Sequence, residues 1–100
     1  MHARLTQFEV PPEKADEAIR SIEGAVAQWK QVDGYRGMTY LLDRATGKVA
    51  VVTLWESEQK LAAAEEALTQ GRDQAVRGFA PAAAPTSQRY EVVLSELPAG

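Results

Sequence analysis

Asp33-Gly34-Tyr35-Arg36-Gly37-Met38 and, further along, Leu54-Trp55-Glu56-Ser57 decide the fold of this 100-residue chain. In the first stretch a glycine stands where a helix ends and a strand begins, because the left-handed capping position favours a residue without a side chain. In the second, a strand closes on a tryptophan and runs into a serine that can cap the next helix. Between them, 35–43 and 48–56 are rich in β-branched and aromatic residues, and Arg44-Ala45-Thr46-Gly47 ends in the glycine that such connections favour. The spacing predicts a β-hairpin.

Upstream, 4–10 reads as a strand that stops at Pro11-Pro12, where proline suits the first turn of a helix. Ala15, Ala18, Ile19, Ile22, Ala25, Val26 and Trp29 then recur at helical spacing. Glu13, Asp16 and Glu17 near the start and Lys30 in the last turn suit the helix dipole, while Gly24 costs about 1 kcal/mol against Ala. Gly34 is expected to cap this helix. Downstream, Ser57 caps a second helix running to Gly71, with Leu61, Ala64 and Leu68 inward and Glu65 and Glu66 nearer water. Residues 73–79 read as a further short helical piece, 80–85 as an alanine-proline connector, and 88–97 as a closing strand. The predicted order is β-α-β-β-α-β, a ferredoxin-like α+β fold with a four-stranded antiparallel sheet and both helices on one face.

The length suits one domain spanning 1–100. The apolar fraction is 45% and the charged fraction 25%, and no apolar run approaches the roughly 18 residues of a membrane span; a soluble chain without a membrane partner is expected. Met1-His2-Ala3-Arg4-Leu5 lacks the features of an export signal, and with no cysteine present a cytoplasmic location is expected. The missing thiols exclude disulfides and thiolate chemistry. A net charge of −3 with both signs interspersed argues against nucleic acid. There is no Gly-rich phosphate loop, and the lone His2, near the chain start, leaves no paired-His metal set and no Ser-His-Asp triad.

Both faces of the sheet are apolar. Val49, Val51 and Trp55 alternate with Ala50, Val52 and Leu54; Leu5 opposes Phe8 and Val10; Tyr90, Val92 and Leu94 oppose Val93. A half-covered antiparallel sheet should alternate apolar with polar, so the uncovered face is expected to meet its copy in a homodimer. The competing reading has the connector or a chain end covering that face.

Gly34-Tyr35-Arg36-Gly37-Met38 and Leu54-Trp55-Glu56-Ser57-Glu58 resemble the two most recognisable segments of the antibiotic biosynthesis monooxygenase family, dimeric α+β barrels. The similarity in order and spacing runs from strand one to strand four. The family includes cofactor-independent oxygenases of aromatic polyketides, quinol monooxygenases and haem-degrading enzymes. The resemblance therefore implies a cofactor-independent monooxygenase acting on a small aromatic or polycyclic phenol or quinol in a cleft between sheet and helices. The alternative is a non-catalytic homodimeric module that binds a small apolar ligand or simply assembles.

On that resemblance, Trp55 matches a cleft-lining Trp, whereas an Asn of the same enzymes falls near Val51, which has no side-chain hydrogen bond to offer. Gln7 replaces an Asn of the haem-degrading branch, whose Trp and haem-ligating His fall near Ala64 and Gln74, so haem is disfavoured and no cofactor or metal is expected. Gln7 and Trp55 are the candidate catalytic residues, and Gln74, Arg77 and Tyr40 the candidate substrate-binding ones. Each has a structural alternative: Trp55 as core, Gln7 as a wet rim position, Arg72 and Arg77 as a solvated helix face, and Tyr35, Tyr40 and Tyr90 as packing residues. An enzyme of this kind would exclude water, orient the ring and stabilise a developing oxyanion, with Gln7 as the donor. No general base is identified.

Overall fold

The computed structural model describes residues 1–76 and 85–96, with 71–76 described through their backbone only. Strand β1 (His2–Glu9) is followed by a 3-10 turn (Pro12–Lys14), α1 (Ala15–Trp29), β2 (Tyr35–Asp43), β3 (Lys48–Trp55), α2 (Glu58–Val76) and β4 (Thr86–Glu91). The four strands form one antiparallel sheet in the order β2-β3-β1-β4. This is the predicted ferredoxin-like α+β succession.

Alternation sorts the strands into two faces. Phe8 of β1 and Val49, Val51 and Trp55 of β3 join Ile22 and Trp29 of α1 and Leu61 and Leu68 of α2 in the core. Trp55, Leu61 and Leu68 are fully buried, each such side chain contributing about 1.5–3 kcal/mol. The opposite face carries three uncharged cross-sheet rows, Thr39-Val52-Leu5-Gln88, Gly37-Leu54-Ala3-Tyr90 and Leu41-Ala50-Gln7-Thr86, and a fourth, charged one, Asp43-Lys48-Glu9, at the hairpin's turn end.

The two diagnostic stretches meet at one corner. Gly34 has φ +90° and its carbonyl accepts the Glu56 amide at 2.8 Å. Tyr35 pairs with Trp55 across the hairpin, their rings edge to face at 5.7 Å and 82°. Ser57 caps α2 as predicted, its hydroxyl accepting the Lys60 amide at 3.2 Å. At the hairpin's far end, Gly47 (φ +80°) accepts the Val10 amide at 2.9 Å, and a Cβ there would lie 1.8 Å from the Val10 carbonyl oxygen. Only glycine fits.

Several boundaries differ from the sequence reading. Because Pro12 has no N–H, the first helix is entered through a 3-10 turn in which the Lys14 amide donates to the Pro11 carbonyl at 2.9 Å. α1 ends at Trp29, so Gly34 is not its cap; the Val32 amide donates to Trp29 and the Tyr35 amide to Val32, at 3.0 and 3.2 Å, and Gly34 instead turns the chain into β2. α2 passes through Gly71 to Val76 without a break, since one helical glycine costs only about 1 kcal/mol and does not by itself stop a helix. β4 starts at Thr86 and stops at Glu91, leaving Val93 and Leu94 exposed rather than in the ladder. Among the described residues β4 pairs with β1 alone, and β1 starts at His2; beyond the ladder the Val92 amide donates to the Met1 carbonyl at 2.9 Å.

Candidate functional site

Beneath the helices lies a small hollow of about 10 Å³, room for about a single water. Phe8, Ile22, Val51 and Leu68 form its apolar wall, and Arg4, Thr6, Trp29 and Thr53 bring polar groups to it. Arg4 is only 6% exposed. A charge is costly to bury unless its donors are satisfied, and its guanidinium donates to Thr69 Oγ1 on α2 at 3.1 Å and to Ser87 Oγ on β4 at 3.2 Å. Ser87 also shares a hydrogen bond with Thr6 at 2.9 Å. The floor of the hollow is thus a polar seam joining β1, β4 and α2.

The two tryptophans play different parts. Trp55 is fully buried and its indole N–H donates to Thr53 Oγ1 at 3.0 Å. That bond occupies an acceptor site on Thr53 and leaves the hydroxyl proton for another partner. Trp55 therefore acts on the hollow through Thr53; it is not among the lining residues. Trp29 does line the hollow, and its indole N–H is buried without a partner among the described residues.

A second, larger cleft of about 320 Å³ opens between α1 and β2, lined by Ile19, Ile22, Val26 and Met38 with Glu23, Ala27, Lys30 and Tyr40. Ile22 is a wall of both spaces. The Tyr40 hydroxyl is buried and unpartnered among the described residues. Burial pushes its pKa above the ordinary value of 10.0, so at neutral pH the phenol keeps its proton and is a donor.

Of the residues singled out from sequence, Tyr40 lines the larger cleft, while Gln7 is exposed on the sheet face opposite the helices. In β1 the even positions Arg4, Thr6 and Phe8 face the helices, so Gln7 lies on the other face of the sheet from the hollow. Gln74 lies in α2, but its side chain, like that of Arg72, is outside the described residues, as is Arg77 altogether. Ala64 is buried in the core, and Tyr90 is exposed on the outer face, its hydroxyl bonded to Gln88. His2 belongs to β1, with Nε2 3.8 Å from the Glu58 carboxylate. Among the described residues no cluster of His, Asp and Glu could hold a metal, and no helix is long and apolar enough to cross a membrane. Arg4, Thr6, Trp29 and Thr53 were not picked out from the sequence as site residues. The signal was available, since Arg4 and Thr6 alternate in phase with Phe8 and Val10, on the face the core pattern turns toward the helices.

Comparison with known proteins agrees with this architecture. The uncharacterized protein Rv2558 of Mycobacterium tuberculosis is 30% identical over 84 residues, covering 83% of this chain and 36% of that protein. The chain thus spans little more than a third of the length of the curated relatives it matches. Among solved structures, the monooxygenase from the gene ActVA-Orf6 of Streptomyces coelicolor, in complex with nanaomycin D, superposes with a TM-score of 0.74 at 19% identity over 98% of this chain and 92% of that one. NE2512 of Nitrosomonas europaea, a protein of unknown function, superposes with a TM-score of 0.75 at 16% identity, covering 99% and 95%. At such identities these structures establish a shared fold. The sequence model for antibiotic biosynthesis monooxygenases goes further: it matches residues 1–72, from β1 into α2 and across the whole hairpin corner, and the chain belongs to that family.

Proposed function

We propose that the chain is a cofactor-independent monooxygenase of the cytoplasm, a single domain over 1–100 that oxidises a small aromatic phenol or quinol with dioxygen beneath its helices. The observation that supports this reading is that one small hollow is lined both by the buried Arg4 and by Trp29, whose indole N–H has no partner among the described residues. Donors held in a dry site favour an anion over its neutral parent, and it is the ionised phenol that gives an electron to oxygen. Recombination of the resulting pair forms a hydroperoxide, and loss of water leaves one oxygen atom on the ring. In this scheme Arg4, Trp29 and Thr53 hold the oxyanion, Trp55 orients Thr53, and Tyr40, which lines the larger cleft, is a candidate contact for a ring that reaches past Ile22. Gln74, and Arg77 outside the described residues, are further candidates for binding it.

The enzyme in this reading is a homodimer. Its uncharged outer rows, with Leu41 51% and Tyr90 48% exposed, pack against the same rows of a second copy, and Gln7 becomes an interface residue rather than a catalytic one. The size of the hollow, about 10 Å³, favours the second reading, a non-catalytic dimeric module, unless Ile22 gives way to the ring.

An oxygen electrode decides between them. With a panel of quinols and anthrones, the enzyme reading expects protein-dependent uptake that falls about tenfold or more in Arg4→Gln and in Trp29→Phe, and hardly changes in Gln7→Ala. No uptake across the panel, or uptake indifferent to Arg4 and Trp29, leaves the module.

A further inference from the structure

We infer that Thr6 and Ser87 form a two-hydroxyl relay that carries the phenol's proton from the interior hollow to bulk water. The inference rests on the monooxygenase reading and supplies what that reading lacks, a destination for the proton.

Three observations carry it. Among the described residues no carboxylate, imidazole or amine lines the hollow, and the Arg4 guanidinium there holds its protons throughout and accepts none. Of the two hydroxyls on the hollow, Thr6 leads outward and Thr53 does not. Thr53 Oγ1 is bonded to the Trp55 indole N–H, which donates and cannot accept, so a proton passed to Thr53 goes no further. Thr6 is buried, meets the hollow, and lies 2.9 Å from Ser87 Oγ in a pair where either oxygen can donate. Finally, Ser87 stands on the edge strand β4 and is exposed to solvent.

A relay needs each member to take one proton as it gives another, and a hydroxyl does both. The phenol gives its proton to Thr6 Oγ1 as Thr6 gives its own to Ser87 Oγ and Ser87 gives its own to water. One O–H bond forms and one breaks at each hydroxyl, so both end neutral and the negative charge stays on the phenol oxygen. Thr6 then donates to that oxyanion, and Ser87 to Thr6. The Arg4 guanidinium, donating to Ser87 Oγ at 3.2 Å, disfavours a proton resting on the chain and favours the anion left behind. Once the phenolate has combined with oxygen, the peroxide anion takes one proton back along the same two hydroxyls and becomes the hydroperoxide.

The test uses the full chain and 1,4-dihydroxynaphthalene, first without oxygen in a stopped-flow spectrometer that follows the quinolate band, then with oxygen in an electrode. How much quinolate forms depends on Arg4; how fast it forms depends on the relay. In the wild type the rate should be independent of buffer concentration. Thr6→Val, of nearly the same shape, and Ser87→Ala, at an exposed position, should slow it about tenfold or more. In Ser87→Ala imidazole should restore the rate in proportion to its concentration, because a soluble base then replaces the missing hydroxyl, whereas a defect of packing alone would not respond. Thr6→Ser and Ser87→Thr, which return a hydroxyl to each position, should recover most of the loss. No quinolate in the wild type, a rate unchanged in both Thr6→Val and Ser87→Ala, or a loss that imidazole leaves untouched overturns the relay. Oxygen uptake by the same wild-type protein then leaves the monooxygenase reading standing, and its absence removes both.

Discussion

The Glu56 amide donates to the Gly34 carbonyl at 2.8 Å, so the turn that starts β2 and the corner that leaves β3 are one joint. Gly34 is held there at φ +90°, and a Cβ on it would lie 2.5 Å from the Lys60 Cβ in the first turn of α2. Gly34→Ala is therefore expected to cost about 2 kcal/mol, from the left-handed backbone and the collision together. Urea unfolding monitored by tryptophan fluorescence measures it. Lys60→Gly on the same background should return only the steric part.

The same joint carries an ion pair between Asp33 and Lys60. The hydrogen bond and charge of Lys60 hold the Asp33 carboxyl below its ordinary 3.8, and those of Asp33 hold the Lys60 ammonium above its ordinary 10.5. A depressed acid contributes stability that is present above pH 3.8 and lost as pH falls through the lowered value. A raised base contributes stability that is present below pH 10.5 and lost as pH rises through the higher one. Lys60→Met should flatten the acid limb of the stability profile in low salt. Both groups are open to solvent, so 1 M salt should erase most of the difference.

Tryptophan substitutions should separate the two indoles. Trp55→Phe removes a fully buried ring edge and the bond to Thr53, an expected loss of about 2–3 kcal/mol. Thr53→Val leaves the Trp55 N–H buried and unsatisfied, at about 1–3 kcal/mol. Trp29→Phe forfeits no hydrogen bond among the described residues and should cost about 1 kcal/mol. Thermal unfolding orders the three; a Trp29→Phe loss as large as that of Trp55→Phe would remove Trp29 from the ligand-facing role.

The uncharged rows of the outer face predict self-association. Val52 sits beside Leu5 and Thr39 in the central row, so Val52→Glu places a carboxylate against its own copy across a two-fold axis. Sedimentation velocity at micromolar concentration should report twice 10.9 kDa for the wild type and 10.9 kDa for the variant. A wild-type monomer would remove the dimer and the interface role of Gln7 together.

The hairpin, α1 and the Ser57 cap were legible because their signals are local: a glycine at a φ closed to other residues, apolar positions recurring every three or four, a hydroxyl at a helix start. Boundaries set by a distant partner were not. Nothing within 88–97 announces that β4 ends at Glu91, because the limit is imposed by where β1 begins. Gly71 reads as a stop, yet the helix continues past it to Val76. The site was half legible. Tyr40 and Trp55 stand out by residue type, whereas the importance of Arg4 depends on Thr69 and Ser87, 65 and 83 positions away. Gln7 drew attention through its amide, and its phase in the strand, which decides its face, carried less weight than its chemistry.

Ile22 is shared masonry between a large compartment and a small one. A guest that displaces it from either side alters the volume and the van der Waals contacts on the other, so occupancy of the two is thermodynamically linked, and the coupling has the same magnitude in both directions.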